Sequence, residues 1–234
     1  MLAGRAALLD AHRETTDRRA EAAGDRLVVL AQLTVHDDER RTLRAVLRAL
    51  RTVRRGALVV FPARVLRGAP AERAAVAELV RERSLAVVIG VAPSALWCVD
   101  AHVRRDVPVG AGTDAGGRVV TLASLRVGLL CGAELRRPAL VHGVVERGCD
   151  VLVTCAADEP RVAAAQRALV LARALDCRVP HAYVNAVGRR DGVRFAGGSR
   201  LVRPGDEALP GWRAARAPLI SGRWLSPSTQ EQIA

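Results

Sequence analysis

The residues best suited to chemistry lie between Arg126 and Pro138, in the run Arg126-Val127-Gly128-Leu129-Leu130-Cys131-Gly132-Ala133-Glu134-Leu135-Arg136-Arg137-Pro138. Its apolar first half predicts a buried strand, Gly132 a sharp turn, and Pro138 the start of a helix. A strand passing through a tight turn into a helix is where α/β folds expose a nucleophile at the edge of a sheet. Cys131 and Glu134 are the thiol and the carboxylate at that turn. Thiol-dependent attack on an amide or nitrile needs three groups at one point. A base takes the thiol proton, the thiolate attacks carbon, and a cation stabilises the negative charge that develops. Against a catalytic Cys131 stands a structural role, since cysteine is among the most buried residue types and this one ends an apolar strand.

The same run resembles the nucleophile segment of the carbon–nitrogen hydrolases, the nitrilase superfamily, whose pattern is Arg-x-Gly-x-x-x-Cys-x-Asp/Glu-x-x-x-Pro-Glu. Anchoring on Arg126, Gly128, Glu134 and Pro138 puts Gly132 at the cysteine position and Ala139 at the last glutamate. Leu58-Val59-Val60-Phe61-Pro62-Ala63 resembles the family strand ending in Phe-Pro-Glu, with Ala63 at the position of the general base. Arg173-Ala174-Leu175-Asp176, Asn185-Ala186-Val187-Gly188, Gly197-Gly198-Ser199 and Pro204-Gly205 are similar to later family motifs, so the resemblance spans roughly residues 27–205. The family's catalytic lysine has no direct equivalent, because the chain contains no lysine and its 36 basic residues are all arginine. Arg104, in Arg104-Arg105-Asp106-Val107-Pro108, is the best counterpart; a deletion in that loop is the alternative.

The resemblance implies an α/β four-layer α-β-β-α sandwich that commonly dimerises. It also implies that Ala63, Arg104 and Gly132 replace a glutamate, a lysine and a cysteine. Losing members of such a unit costs on the order of 10⁴ to 10⁶ in rate. The expectation is a catalytically inactive homologue acting as a binding or regulatory subunit. It would be a homodimer or the partner of an active homologue, with an amide-like small molecule as ligand. The alternative is an active or repurposed hydrolase using Cys131 and Glu134, with His142, Cys155 and Asn185 lining the same pocket. A one-residue slip that made Cys131 the nucleophile would turn it to the other face of its strand.

Length and composition agree with one domain. The 234 residues suffice for a sizeable core, and with 50% hydrophobic but only 3% aromatic residues that core must be Val, Leu and Ala. No apolar run approaches the ~20 residues that span a bilayer, and Met1 to Asp25 lacks the apolar stretch of a secretory signal. Residues 1–25 are expected to form a helical extension, 26–205 the domain, and 206–234 an irregular tail broken by Pro210, Pro218 and Pro227. Five cysteines without Cys-x-x-Cys spacing indicate neither a zinc site nor a disulfide framework, and suit a reducing cytoplasm; no metal site is expected. No cofactor fingerprint is present: Gly110, Gly112, Gly116 and Gly117 lie outside any strand-to-helix context.

A net charge of +12 raises the question of nucleic acid. Arg40, Arg44, Arg48, Arg51 and Arg55 recur along one face of a predicted helix, opposite Leu43, Val46, Leu47 and Leu50. The scarcity of aromatics for base stacking and the lack of a reading motif argue for a solvated face instead. The elements that must carry all these residues alternate. Strands are expected over 27–35, 57–61, 85–91, 96–100, 118–121, 125–131, 151–154 and 179–184, and helices over 38–55, 71–83, 138–147 and 161–175.

Overall fold

The computed structural model describes residues 26–92, 94–110, 112–204 and 219–224. The expected N-terminal extension and most of the tail lie outside these residues.

Two sheets form the centre. The first is built on β1 (Arg26–Ala31), β3 (Leu58–Val60), β4 (Ala86–Val91), β5 (Ala95–Val99) and β6 (Arg104–Pro108), with β14 (Leu219–Trp224) antiparallel to β1 at its edge. The tail expected to be irregular therefore contributes a strand. The second sheet contains β7 (Val119–Leu122), β8 (Leu125–Cys131), β9 (Val151–Ala156), β10 (His181–Asn185) and β13 (Arg200–Val202). β8, β9 and β10 run parallel, so their carboxyl ends share one edge. A small third sheet joins β2 (Thr34–Val35), β11 (Val187–Arg190) and β12 (Val193–Ala196). The single strand expected over 27–35 is thus divided between two sheets.

The layers follow from side-chain alternation. Val28, Leu30, Leu58, Val60, Val88, Val127, Leu129 and Val153 fill the space between the two main sheets. Their neighbours in sequence, such as Val29, Val59 and Val87, face α1 (Glu39–Thr52) and α2 (Pro70–Glu82). Leu130, Leu152 and Tyr183 face α3 (Pro138–Val145) and α4 (Pro160–Cys177) on the other side. The resulting order is α-β-β-α, the expected fold class. Each sheet is covered on both faces, which explains why its strands read as continuous apolar runs. Asp38 caps α1 by accepting from Arg41 N at 3.1 Å. The stripe of Arg40, Arg44, Arg48, Arg51 and Arg55 is exposed, as a solvated outer face requires.

Candidate functional site

The carboxyl ends of β3, β8, β9 and β10 meet at one edge of the sandwich, the place where open α/β sheets bind ligands. Ala63 follows β3, and its N–H donates to Ala156 O at 3.1 Å, tying the two sheets together. Gly90 makes that approach feasible: a Cβ there would run into Ala63 Cα and lie 2.5 Å from Pro62 O. Gly132 lies on the same edge. A Cβ at Gly132 would stand 3.2 Å from Ala156 Cβ, and 2.9 and 3.0 Å from the two carboxylate oxygens of Asp158. Ala63 and Gly132 thus both approach Ala156, one through a backbone hydrogen bond and the other at its Cβ. The space a side chain at 132 would enter is bordered by a carboxyl group.

Asp158 was not singled out by its sequence context. Its backbone N–H donates to Asn185 Oδ1 at 2.7 Å, and its Oδ2 accepts from the Tyr183 hydroxyl at 2.7 Å. Gln166 Nε2 donates to Gly132 O at 2.7 Å and also hydrogen-bonds the Asp158 carboxylate. Burial raises the Asp158 carboxyl above the usual range, opposed by the Tyr183 and Gln166 hydrogen bonds and by Arg136. Burial and the neighbouring Asp158 push the Tyr183 phenol upward too. The only sequence signal for Asp158 was an acidic residue just before Pro160, in the loop after a buried strand.

Asn185 is fully buried, and its side chain is committed to structure. Besides holding the Asp158 amide, its Nδ2 donates to Gly197 O at 2.9 Å and to Asp158 O at 3.3 Å, while Ser199 bonds its backbone. It positions the loop that carries Asp158 and leaves no polar group free for a ligand.

Glu134 is the anchor of the turn. Gly132–Arg136 form a short 3-10 turn after β8. From its third position Glu134 reaches back to accept from Cys131 N at 2.8 Å, the return half of a capping box. Arg118, 1% exposed, grips the same carboxylate with two nitrogens, at 2.6 and 2.9 Å. Gly110 N–H donates at 2.7 Å and Thr113 Oγ1 at 3.2 Å. Burial alone would raise this carboxyl, but Arg118 and the Cys131 and Gly110 amides together hold it below its ordinary value. An ionised group gripped in this way positions the turn and is a poor proton acceptor.

Cys131 continues the inward register of Leu125, Val127 and Leu129 and packs against the core between the sheets, as Ala63 does. Burial pushes its thiol up to about 12, with the Glu134 carboxylate adding to the shift. Cys155, its partner across β8 and β9, is fully buried, and burial raises its thiol well above the ordinary value.

Two expected site residues lie elsewhere. Arg104 pairs with Val99, and Val99 with Val87, whereas the site end of these strands is marked by Gly90, Ala95 and Pro108. Four strand steps, about 13 Å, separate Arg104 from Pro108, and its side chain is exposed. It is therefore not the cation of the site, because the segment read as a catalytic loop is strand β6. The buried cation beside the turn is Arg118. His142 lies on α3, outside the second sheet, and bonds Asp176 Oδ2 at 2.8 Å, so it lines no pocket with Cys131.

No protein-family model and no curated protein matches the sequence. Solved structures match the fold. A CN-hydrolase superfamily protein from Xanthomonas campestris, with an arsenic adduct in its active site, aligns with a TM-score of 0.68 at 15% identity, over 89% of this chain and 93% of that one. A cysteine-to-alanine mutant of the Nesterenkonia AN1 amidase, from the nitrilase superfamily, aligns with a TM-score of 0.69 at 17% identity, over 89% and 94%. A further structure of that amidase, carrying the acetamide moiety of fluoroacetamide on its active-site cysteine, gives 0.67 at 18% identity, over 89% and 96%. At such identities the likeness concerns the fold, and the fold of this chain is that of the nitrilase superfamily of carbon–nitrogen hydrolases.

Proposed function

We propose that the chain is a carbon–nitrogen hydrolase homologue that has lost the thiol-dependent reaction and serves as a binding or regulatory subunit. It does so as a homodimer or with an active homologue, and it takes an amide-like small molecule as ligand. The observation that carries this reading is the carboxylate of Asp158 beside Gly132, at the position where the resemblance expects a nucleophile. A thiolate formed there would face a negative or proton-bearing carboxyl, with Ala63 unable to act as base. Cys131 is no substitute, since its thiol is pushed up to about 12 and its neighbour Glu134 is held by Arg118.

The test is turnover of aliphatic and aromatic amides and nitriles by the purified protein and by Cys131→Ser, together with the rate of iodoacetamide labelling at Cys131. The expected result is no turnover and slow labelling. Turnover by the wild type that disappears in Cys131→Ser would overturn the proposal.

A second reading has its own observation, the buried Asp158–Tyr183 pair at 2.7 Å with both groups raised. A carboxyl that accepts from a phenol and whose pKa is raised by burial suits general acid chemistry. Activity that survives Cys131→Ser and is lost in Asp158→Asn would favour it.

A further inference from the structure

Outside the site, α3 and α4 bring together three side chains of mixed chemistry. His142 comes from α3, and Asp176 and Cys177 from the last turn of α4. One donor atom from each lies within 4.8 Å of the other two, a grouping detected among the described residues. We propose that His142 Nε2, Asp176 Oδ2 and Cys177 Sγ form a binding site for a borderline divalent transition metal, zinc(II) in chemical class, which clamps the two helices. This inference is independent of the fate of the hydrolase site.

The donor set selects the metal. Thiolate and imidazole disfavour magnesium and calcium, which take oxygen ligands, and suit zinc in a tetrahedral site. Three protein ligands leave the fourth position to water or a further ligand. Zinc bonds of about 2.0 to 2.3 Å require the donors to draw in by about 1 Å. The half-exposed His142 and exposed Asp176 have room to do so, whereas Cys177, 6% exposed, supplies the fixed point.

Electrostatics agree. His142 Nε2 and Asp176 Oδ2 are already 2.8 Å apart, so that the hydrogen bond holds two ligands near their places before metal arrives. Cys177 is the last residue of α4, where the helix dipole places partial negative charge. Binding breaks the Cys177 S–H bond and releases that proton to solvent; the proton with which His142 Nε2 bonds Asp176 moves through water to Nδ1, and metal–sulfur and metal–nitrogen bonds form. Thiolate and carboxylate together then balance the two positive charges. Arg173 Nη1 lies 3.6 Å from Asp176 Oδ2 and would shift to Oδ1 when the metal takes Oδ2.

The site escaped sequence inspection because His142 is 34 residues from Asp176 and shares no spacing motif with it.

The experiment is titration of the full chain with cobalt(II), followed by zinc(II) competition. Readouts are the thiolate-to-cobalt charge-transfer band, the proton released, and protection of Cys177 from iodoacetamide. One equivalent should bind with the band present and Cys177 protected. The band should vanish in Cys177→Ser, and affinity should fall about a hundredfold in His142→Ala. His142→Ala alters a half-exposed residue, so it keeps the test valid if Cys177→Ser folds poorly. No charge-transfer band in the wild type, a band that persists in Cys177→Ser, or undiminished affinity in His142→Ala would overturn the proposal.

Discussion

The carboxylate of Asp158 lies 2.9 and 3.0 Å from the point where a Cβ on Gly132 would stand. The two residues come from loops after adjacent parallel strands, β8 and β9, and Gln166 hydrogen-bonds both the Gly132 carbonyl and the Asp158 carboxylate. The turn has adapted to a residue with no side chain. A side chain at position 132 would have to move a carboxyl that Tyr183 and the Asn185-held loop keep in place.

Gly132→Cys is therefore expected to cost about 1–3 kcal/mol of stability through overpacking and to restore no amidase activity, since Ala63 supplies no base. Combining it with Asp158→Ala should recover most of the stability. Urea denaturation of the three proteins checks this, and additive losses would show that the two positions do not meet.

Removing the charge from Glu134 should be more damaging. Glu134→Gln leaves Arg118 buried without its counter-ion, a change expected to cost about 3–5 kcal/mol. The double variant Arg118→Met with Glu134→Gln should lose less than the sum of the single variants, which a double-mutant cycle measures. The folded-state carboxyl is held below its ordinary value of 4.5, so its stabilisation is complete above that value and is lost as pH falls through the folded value.

His181 gives a separate acid signature. Its Nε2 bonds Thr154 Oγ1 at 2.8 Å in a fully buried setting, and burial, then Arg173, lower it from 6.5 to about 3. The unfolded chain takes up a proton near 6.5 that the folded chain refuses. Stability from this residue is thus complete above 6.5 and falls by about 1.4 kcal/mol per pH unit towards pH 3. Between 6.5 and 4.5 the Glu134 contribution stays constant, so His181→Gln should flatten the stability–pH slope in that window. An unchanged slope would contradict a neutral buried His181.

Asn185→Ala should leave the Asp158 amide without an acceptor and free the Gly197 carbonyl. A loss of about 2–4 kcal/mol is expected, with faster hydrogen exchange at the Asp158 amide. An unprotected Asp158 amide in the wild type would sink this role.

The α/β alternation, most of the helices and the strands of the two central sheets were legible because apolar periodicity reports burial directly. The β8 strand, the Gly132 turn and α3 at Pro138 were read close to where they stand. Ala63 and Gly132 each follow a strand whose apolar run is unmistakable in the sequence. The short strands were missed. β6, β11, β12 and β13 are held by cross-strand hydrogen bonds, and β6 carries exposed, charged residues that read as loop.

What the sequence by itself determined is the fold class, because burial patterns are local facts written in the apolar periodicity. The placement of Arg104 depended on strand direction, which pairing with β5 reverses away from the site. The partners of Glu134 lie 16 to 24 residues away in Arg118, Thr113 and Gly110, and Asp158 reaches Gly132 through parallel pairing of β8 with β9. The meeting of His142 with Asp176 and Cys177 arises only when α3 and α4 pack on one sheet face. Such contacts belong to chain crossings, and only tertiary packing decides which distant residues meet.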